Sequence, residues 1–232
     1  MPEARKVSNT WAIVVGGGSG QRFGELKQFA SLRGRPLVEW SVSVCRSVCA
    51  GVVLVLPFGH TQSYGADIVV TGGKSRSESV RAGLSQVPKD AERVVIHDAV
   101  RPLASKLLFE AVLNALDTSS NPSDMRVAGA VCALGVIDTV KEVDRSLSEP
   151  GGISRVVRTL DRECLVWVQT PQAFRANLLR EAHESRVEVT DDASLLELLG
   201  YEVRVVRGDP NNLKITTPQD LNYAEYLLDR TI

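Results

Sequence analysis

Short apolar runs rich in β-branched residues alternate with amphipathic segments along most of the chain. Runs typical of buried strands occur at 12–15 (AIVV), 51–57 (GVVLVLP), 67–70 (DIVV), 93–98 (RVVIHD) and 126–134 (RVAGAVCAL). Helices with one apolar face are predicted at 36–48, 75–87 and 106–116. This alternation predicts a layered α/β fold.

Capping residues mark the starts of two helices. Ser75 and Glu78 have the spacing of a capping box, in which each side chain bonds a backbone amide near the other residue. Near the C-terminus, a strand in YEVRVVRGD is followed by a helix in TPQDLNYAEYLLDR. Thr217 is its predicted N-cap, with Pro218 in the first turn and Asp220 as the reciprocal cap.

Composition excludes several classes of partner. The 232 residues carry a formal net charge of −1, so no global field would attract the protein to nucleic acid or an anionic membrane. The first ten residues lack the apolar stretch of a signal peptide, and no apolar run reaches the ~20 residues of a membrane span. Any bound anion must therefore be held by a local cluster of cations.

The four cysteines indicate a reducing compartment. Cys45, Cys49, Cys132 and Cys164 form no CxxC pair. Cys45 and Cys49 are four apart, so on a helix they would share a face and could suit a metal, but burial in the core is the favoured interpretation because no histidine lies near them in sequence. We expect a cytoplasmic protein.

Residues 137–168, which we call the arm segment, interrupt the alternation. Two short β-like runs flank the turn sequence SEPGG. An isolated antiparallel pair is marginally stable, so this one is expected to pack on something else, such as a second subunit. The sequence thus predicts a single domain over 1–232 with a protruding β-arm at about 137–168.

A glycine-rich loop (residues 16–20) follows the first strand, in the sequence GGGSGQRFGELKQF. It lacks the third glycine and the later carboxylate of a dinucleotide-binding loop, and Ile68 breaks a Walker pattern ending at Gly73-Lys74-Ser75. A tight turn without a ligand is an open alternative. Exposed backbone amides beside Arg22 and Lys27 instead favour a loop that wraps the phosphates of a nucleotide.

Motifs along nearly the whole chain resemble one enzyme family. They are, in order, GGGSGQRFG with LKQF, TGGKSRSESV, HDAVRP, DTVK, TLDR with TPQAF, TDDAS, and NLKITTPQDL. The chain resembles the cytidylyltransferases of the sugar-nucleotidyltransferase superfamily, and most of all the 2-C-methyl-D-erythritol 4-phosphate cytidylyltransferases. The resemblance implies a mostly parallel twisted sheet with helices on both faces, a Rossmann-like nucleotidyltransferase fold. It also implies a homodimer that exchanges the arm.

The resemblance implies a nucleotidyltransferase reaction of non-mevalonate isoprenoid biosynthesis. The phosphate of methylerythritol phosphate attacks the α-phosphorus of CTP, giving 4-diphosphocytidyl-2-C-methyl-D-erythritol and pyrophosphate. Mg²⁺ is expected on the CTP phosphates, with no protein ligand assigned to it. Such a reaction depends mainly on positioning and on stabilisation of charge. Neither nucleic acid nor a membrane is an expected partner.

Matching positions supply the candidate site residues. The catalytic candidates are Arg22, Lys27, Asp98 and Lys214. The CTP-binding candidates are Gly16, Gly17, Gly18, Ser19, Gly20, Gly73, Lys74, Ser79 and Asp98. The candidates for the polyol phosphate are Arg101, Thr139, Arg162, Thr170, Thr190 and Lys214, of which Thr139 and Arg162 would act in the partner's site. Asp98 also ends a predicted strand, where α/β sheets bind ligands, whereas His97 is expected to pack.

Three alternatives remain open. HDAVRP, with Val100, also occurs in relatives that use ribitol 5-phosphate, although TDDAS and TLDR favour methylerythritol phosphate. A nucleotidyltransferase using UTP or ATP is disfavoured by TGGKSRSESV. A non-catalytic nucleotide sensor would be expected to lack Arg22, Lys27 or Asp98, and all three are present. Leu26 stands where many family members have proline, which leaves the reach of Lys27 open.

Overall fold

The computed structural model describes residues 7–17, 26–117, 127–144 and 153–230. Its strands are β1 Val7–Val15, β2 Ser31–Leu32, β3 Arg35–Pro36, β4 Cys49–Leu56, β5 Ile68–Thr71, β6 Arg93–Asp98, β7 Val127–Gly135, β8 Lys141–Val143, β9 Val156–Thr159, β10 Val166–Arg175 and β11 Glu202–Arg207. Its α-helices are α1 Leu37–Val48, α2 Arg76–Leu84, α3 Lys106–Asp117, α4 Ala176–Glu184, α5 Ala193–Leu198 and α6 Pro218–Asp229. Single 3₁₀ turns span Lys27–Phe29 and Arg162–Cys164.

One seven-stranded sheet has the order β11-β7-β10-β6-β1-β4-β5. All neighbours are parallel except β10, which is antiparallel to β6 and β7. The predicted mostly parallel sheet is confirmed. The chain adds β4 and β5 on one side of β1 and then β6 on the other, so a crevice opens at the carboxyl ends of β1 and β6.

Helices cover both faces of this sheet, as expected. On one face α1 and α3 bury Val42 and Phe109, and on the other α2, α4 and α5 bury Val80, Leu179 and Leu196. A smaller cluster joins α6 to the β2–β3 region through residues that include Leu32, Leu37, Ile215 and Ala224. Cys45 and Cys49 are buried in the first of these cores, which confirms their predicted packing role.

Every strand and helix that the apolar patterns predict is present, but β2, β3, β10, α4 and α5 were not predicted. Strand β10 contains Pro171, which cannot donate to a sheet ladder and normally argues against a central strand. Its register with β7 shifts between Val168 and Gln172, and this irregularity accommodates the proline.

The two predicted helix caps differ in outcome. Thr217 and Asp220 form the full reciprocal box at the start of α6. At α2, the Ser75 hydroxyl accepts from the Glu78 amide at 3.0 Å, but the Glu78 carboxylate accepts from the amide of Lys74 at 2.5 Å instead of that of Ser75. The capping box predicted there is therefore only half right.

The arm segment contains the predicted antiparallel pair. Strands β8 and β9 form a separate two-stranded sheet, with Lys141 opposite Thr159 and Glu142 opposite Arg158. The intervening SEPGG sequence lies outside the described residues, and the exchange of this segment between subunits remains a prediction. Within the described ranges, none of the helices combines the length and apolar character needed to cross a bilayer.

Candidate active site

A cavity of about 470 Å³ lies at the carboxyl ends of β1, β5 and β6. Parallel strands end at the same edge of a sheet, so residues far apart in sequence meet there. The cavity brings together all of the described nucleotide-binding and catalytic candidates: Gly16, Gly17, Lys27, Gly73, Lys74, Ser79, Asp98 and Lys214.

Ser79 joins the glycine-rich loop to the segment that follows β5. Its hydroxyl donates to the carbonyl of Ser75 at 2.9 Å, and its side chain is 2% exposed. A Cβ added at Gly17 would lie 2.8 Å from Ser79 Oγ, and one added at Gly72 would lie 2.7 Å from the same atom. Both glycines are needed because Ser79 already fills the space a side chain would occupy.

Lys27 reaches the cavity on the 3₁₀ turn Lys27–Phe29. The next residue, Gln28, is 2% exposed, and its amide nitrogen donates to the carbonyl of Gly16 at 2.8 Å. This buried bond fixes the turn against the end of β1 and so places Lys27 beside the glycine-rich loop. Gln28 was not among the candidates although it belongs to the LKQF motif, because its bond to Gly16 can be recognised only in the fold.

Asp98 ends β6 and is held at the inner wall of the cavity. Its position along the sheet is set by the pairing of Val15 with Asp98, and its backbone amide donates to the Thr170 hydroxyl at 3.0 Å. Its side chain is 9% exposed. A carboxylate this buried requires positive partners to remain charged.

Three cations surround the Asp98 carboxylate. Lys214 Nζ lies 2.9 Å and Arg101 Nε 3.6 Å from Oδ2, whereas Arg76 Nε lies 3.9 Å from Oδ1. Burial alone would raise the pKa of Asp98, but Lys214, Arg76 and Arg101 together outweigh it and hold that pKa well below its usual range. Asp98 is therefore ionised at neutral pH, within a cluster whose net charge is positive.

The comparisons with known proteins agree with this geometry. Residues 10–230 match the family described as IspD: 2-C-methyl-D-erythritol 4-phosphate cytidylyltransferase. The chain belongs to this family. It is 39% identical over 241 residues to the 2-C-methyl-D-erythritol 4-phosphate cytidylyltransferase of Nocardia farcinica (strain IFM 10152), and the match covers 99% of this chain and 98% of that protein.

Two further relatives extend the match. A crystal structure of 2-C-methyl-D-erythritol 4-phosphate cytidylyltransferase from Thermus thermophilus superposes with a TM-score of 0.76 at 35% identity, covering 96% of this chain and 98% of that one. The chain is also 38% identical over 237 residues to a bifunctional enzyme IspD/IspF of Nitratidesulfovibrio vulgaris (strain DP4). That match covers 91% of this chain but 56% of the longer relative.

Two candidates for the polyol phosphate lie beside Asp98 rather than among the described residues that line the cavity. Arg101 is 8% exposed and donates from Nη1 to the carbonyl of Asn212 at 2.6 Å. Thr170 is 4% exposed, and its hydroxyl contacts both the Asp98 amide and His97 Nδ1. In this chain both residues help to hold Asp98, and their direct contact with a substrate remains a prediction.

His97 has the packing role expected for it. Its ring is fully buried against Phe109, with Nδ1 3.1 Å from the Thr170 hydroxyl and Nε2 3.3 Å from the Arg101 carbonyl. Burial lowers the pKa of His97 to about 4, more than Asp98 raises it. The ring is neutral at pH 7.

The remaining candidates lie apart from the cavity or outside the described residues. Thr139 and Arg162 are exposed on the arm segment, where Arg162 donates to the carbonyl of Ile137. Thr190 is exposed in the loop before α5. The predicted residues outside the described ranges are Gly18, Ser19, Gly20 and Arg22.

Arg76 and Asp192 are site residues that motif matching missed. Arg76 lines the cavity, and its Nη1 lies 2.7 Å from Oδ2 of Asp192, which is completely buried. Both belong to motifs that resemble the family, TGGKSRSESV and TDDAS, yet 116 positions separate them. The sequence signal for this pair was an arginine and an aspartate in two separate motifs. Their pairing can be recognised only when the fold is known.

The side chains that line the cavity fit a metal ion that is held mainly by a bound nucleotide. Asp98 is the one carboxylate among the described lining residues, and no group of three or more metal-binding side chains occurs in the part of the chain described. Mg²⁺ can bind at a site of this kind, because it is commonly bound by one or two carboxylates together with substrate phosphates. The residues present are therefore compatible with a metal–nucleotide complex.

Proposed function

We propose that this chain transfers the cytidylyl group of CTP to 2-C-methyl-D-erythritol 4-phosphate, releasing pyrophosphate and 4-diphosphocytidyl-2-C-methyl-D-erythritol. The observation that carries the proposal is the ionised Asp98, held by Lys214, Arg101 and Arg76 where the glycine-rich loop meets the segment after β5. Family membership supports the choice of both substrates.

The proposed roles follow from the chemistry of phosphoryl centres. The transition state accumulates negative charge, so cations fixed before the reaction lower its barrier. Lys27 and Lys214 line the cavity from opposite ends of the sequence and supply that charge. Lys214 is placed by the backbone, since the amide of Ile215 donates to the carbonyl of Val100 at 2.8 Å.

The nucleotide lies in this proposal between the glycine-rich loop and α2. Gly73 lets the chain pass within contact of Glu78, because an added Cβ would lie 2.2 Å from that residue's Cβ. The tight path presents Lys74 and Ser79 to the same cavity. Mg²⁺ is proposed to be bound by the triphosphate with Asp98 as the nearest protein carboxylate, and it would supply further neutralisation of phosphate charge.

A homodimer built through the arm segment is part of the proposal. Ile137, Ile153, Val156, Val157 and Trp167 are all more than half exposed, which is unusual for so many large apolar side chains within one short segment. Covering them with a second subunit would also bring Thr139 and Arg162 to the partner's crevice. A cytoplasmic location is proposed from the four cysteines, none of which forms a disulfide within the described residues.

Ribitol 5-phosphate is the second candidate acceptor. Val100, the residue that distinguishes HDAVRP, is 7% exposed and lines the cavity next to Asp98. Because Val100 lines the cavity, the residue at this position contributes to the substrate region as well as to the core. The favoured acceptor remains methylerythritol phosphate, in line with the family to which the chain belongs.

The test is pyrophosphate release from CTP and Mg²⁺, with methylerythritol phosphate and ribitol 5-phosphate assayed in parallel. Release with methylerythritol phosphate alone is the expected result. A preference for ribitol 5-phosphate would keep the nucleotide chemistry and overturn the acceptor. A folded protein that binds CTP but releases no pyrophosphate with either acceptor would favour a nucleotide sensor instead.

A further inference from the structure

Arg76 stands between two carboxylates and is bonded closely to only one. It opens α2, with Nη1 2.7 Å from Asp192 Oδ2 and Nε 3.9 Å from Asp98 Oδ1. A closed arginine–carboxylate pair has contacts of about 2.7–2.9 Å. The contact with Asp192 is of that kind, and the contact with Asp98 is about 1 Å too long.

Asp192 is built to stay in place. It is completely buried before α5, and its second oxygen, Oδ1, lies 3.1 Å from Nε2 of the buried His183. The segment that carries it is also bonded to α2, because the Ser77 hydroxyl lies 3.3 Å from both the amide nitrogen and the carbonyl oxygen of Val189. The guanidinium of Arg76 therefore lies between two groups that are held in place, the start of α2 and the carboxylate of Asp192.

The two oxygens of Asp98 have different surroundings. Lys214 and Arg101 approach Oδ2, and Arg76 approaches Oδ1 across the 3.9 Å gap. An arginine released from Asp192 would be drawn onto Oδ1 and would occupy the lone pairs of that oxygen. Held back, it still contributes positive charge at short range.

We propose that Asp192 is a positioning residue that holds Arg76 away from Asp98. Arg76 then neutralises the charge of the Asp98 carboxylate while Asp98 Oδ1 stays able to accept hydrogen bonds from the bound substrates. This inference rests on the proposed function, in which Asp98 faces both substrates. It adds a specific requirement: Asp192 acts only through Arg76.

The test is a double-mutant cycle with a matched control. Asp192→Asn keeps the size of the side chain and removes its charge, and kcat should fall about 10- to 100-fold, since displacements near 1 Å at a reacting centre cost that much. Arg76→Gln should also lower kcat, and the double variant should be no slower than Arg76→Gln alone. Additive losses would overturn the proposal, because Asp192 would then act independently of Arg76.

Glu188→Gln is the control. Glu188 Oε1 accepts from Arg81 Nη2 at 2.9 Å, so it is a second carboxylate of the same segment paired with a second arginine of α2. Neither residue of this pair lines the cavity among the described residues. Glu188 is 54% exposed and also contacts the hydroxyls of Ser75 and Ser77, so its replacement disturbs the same segment while it leaves the pair of Arg76 and Asp192 intact, and kcat should change by less than about twofold. A loss equal to that of Asp192→Asn would mean that the segment as a whole matters, and it would overturn the specific role.

A readout independent of activity separates this inference from the proposed function. In a crystal structure of Asp192→Asn, Arg76 Nε should approach Asp98 Oδ1 to about 3 Å. An unmoved Arg76 would overturn the inference even in an active enzyme. Conversely, if the unaltered chain releases no pyrophosphate, the proposed function fails, and the movement of Arg76 still decides whether Asp192 holds it back.

Discussion

Asp98 and Arg162 are both charged residues assigned to substrate binding, but they lie in opposite kinds of surroundings. Asp98 ends a central strand, is nearly buried, and is held by cations from three different parts of the chain. Arg162 is exposed on a single 3₁₀ turn of the arm segment, and its described hydrogen bond is to the carbonyl of Ile137. One residue is positioned by the chain itself, whereas the other has little to position it.

The difference indicates how the work is divided between the two regions. A preorganised crevice can fix charge before the substrate arrives, and its geometry is specified by strand register. An exposed two-stranded sheet is only marginally stable alone, and it is stabilised when it packs on another surface. We therefore expect substitutions in the crevice to affect both folding and chemistry, and substitutions in the arm segment to affect substrate binding alone.

The largest effect is expected for Asp98→Asn. Removing the charge leaves the buried Arg101 without its ion-pair partner, which should cost about 3–5 kcal/mol of unfolding free energy. The turnover number should fall at least about 100-fold as the oriented charge is lost. Urea denaturation and pyrophosphate release measure the two effects.

Lys214→Gln is the companion to that variant, because its side chain is 43% exposed and its removal should cost the fold less than the loss of the buried Asp98 charge. Activity should still fall strongly. If Asp98→Asn lost activity only in proportion to the unfolded fraction, and Lys214→Gln lost none, the crevice would have a structural role only.

An intermediate effect is expected from His97 as the pH is lowered. Its pKa is lowered by burial to about 4 in the folded chain, whereas it is about 6.5 in the unfolded chain, so the unfolded state binds the extra proton first. Stability from this group is complete above pH 6.5 and is lost as the pH falls toward 4. The loss should amount to about 3 kcal/mol.

Comparison with His97→Gln isolates that contribution from those of the carboxyl groups. Urea denaturation at several pH values between 7 and 4 should show the advantage of the unaltered chain over the variant shrinking as the pH falls. A difference that stays constant across this range would contradict a buried neutral imidazole.

The smallest effect is expected for Arg162→Ala, and it should be confined to the acceptor. Loss of one charged contact to a phosphate should raise the KM for the polyol phosphate about 10-fold, with unfolding free energy and CTP binding unchanged. Steady-state kinetics with each substrate varied in turn would measure this. A matching rise in the KM for CTP would contradict the separation of the two regions.

Mixing two defective variants sharpens the comparison further. If the arm acts in the partner's crevice, a dimer of one Arg162→Ala chain and one Lys214→Gln chain contains one site with both residues intact. At an acceptor concentration well below the KM of the unaltered chain, where each variant alone is nearly inactive, a random mixture should then recover about a quarter of full activity. Light scattering on each variant controls for dimer formation, and absence of any recovery in mixed dimers would show that Arg162 does not act across the interface.

The residues that line the crevice were easier to predict from sequence than the ion pairs that join their side chains. Glycine runs and an aspartate after a β-branched strand are local patterns, and NLKITTP is a motif of the family resemblance. The residues that they single out, Gly16, Asp98 and Lys214, line one cavity. The contact of Arg76 with Asp192 has no local pattern, since it depends on how α2 and α5 pack on the same face of the sheet. Side-chain pairing across such distances follows from the fold and cannot be predicted before it.

The fold itself shows the same limit. Apolar patterns predicted the parallel strands and α1, α2 and α3, because each buries an apolar face, whereas α6 was predicted from its capping residues. Strand β10 failed this criterion, because Pro171 breaks the ladder and Gln169, Thr170 and Gln172 are polar although buried. These side chains bond to neighbouring loops, as Gln169 does to the carbonyl of Asp209, and a polar strand of this kind does not differ from a loop in sequence.

The contact of Ser79 with Gly17 and Gly72 limits how this pocket can change over evolutionary time or in the hands of a protein engineer. One hydroxyl oxygen occupies the space of two missing methyl groups, so the loops after β1 and β5 share a single small volume. A side chain added at Gly17 or Gly72 has to be matched by a change at Ser79. Attempts to alter nucleotide preference here should therefore vary the three residues as a set.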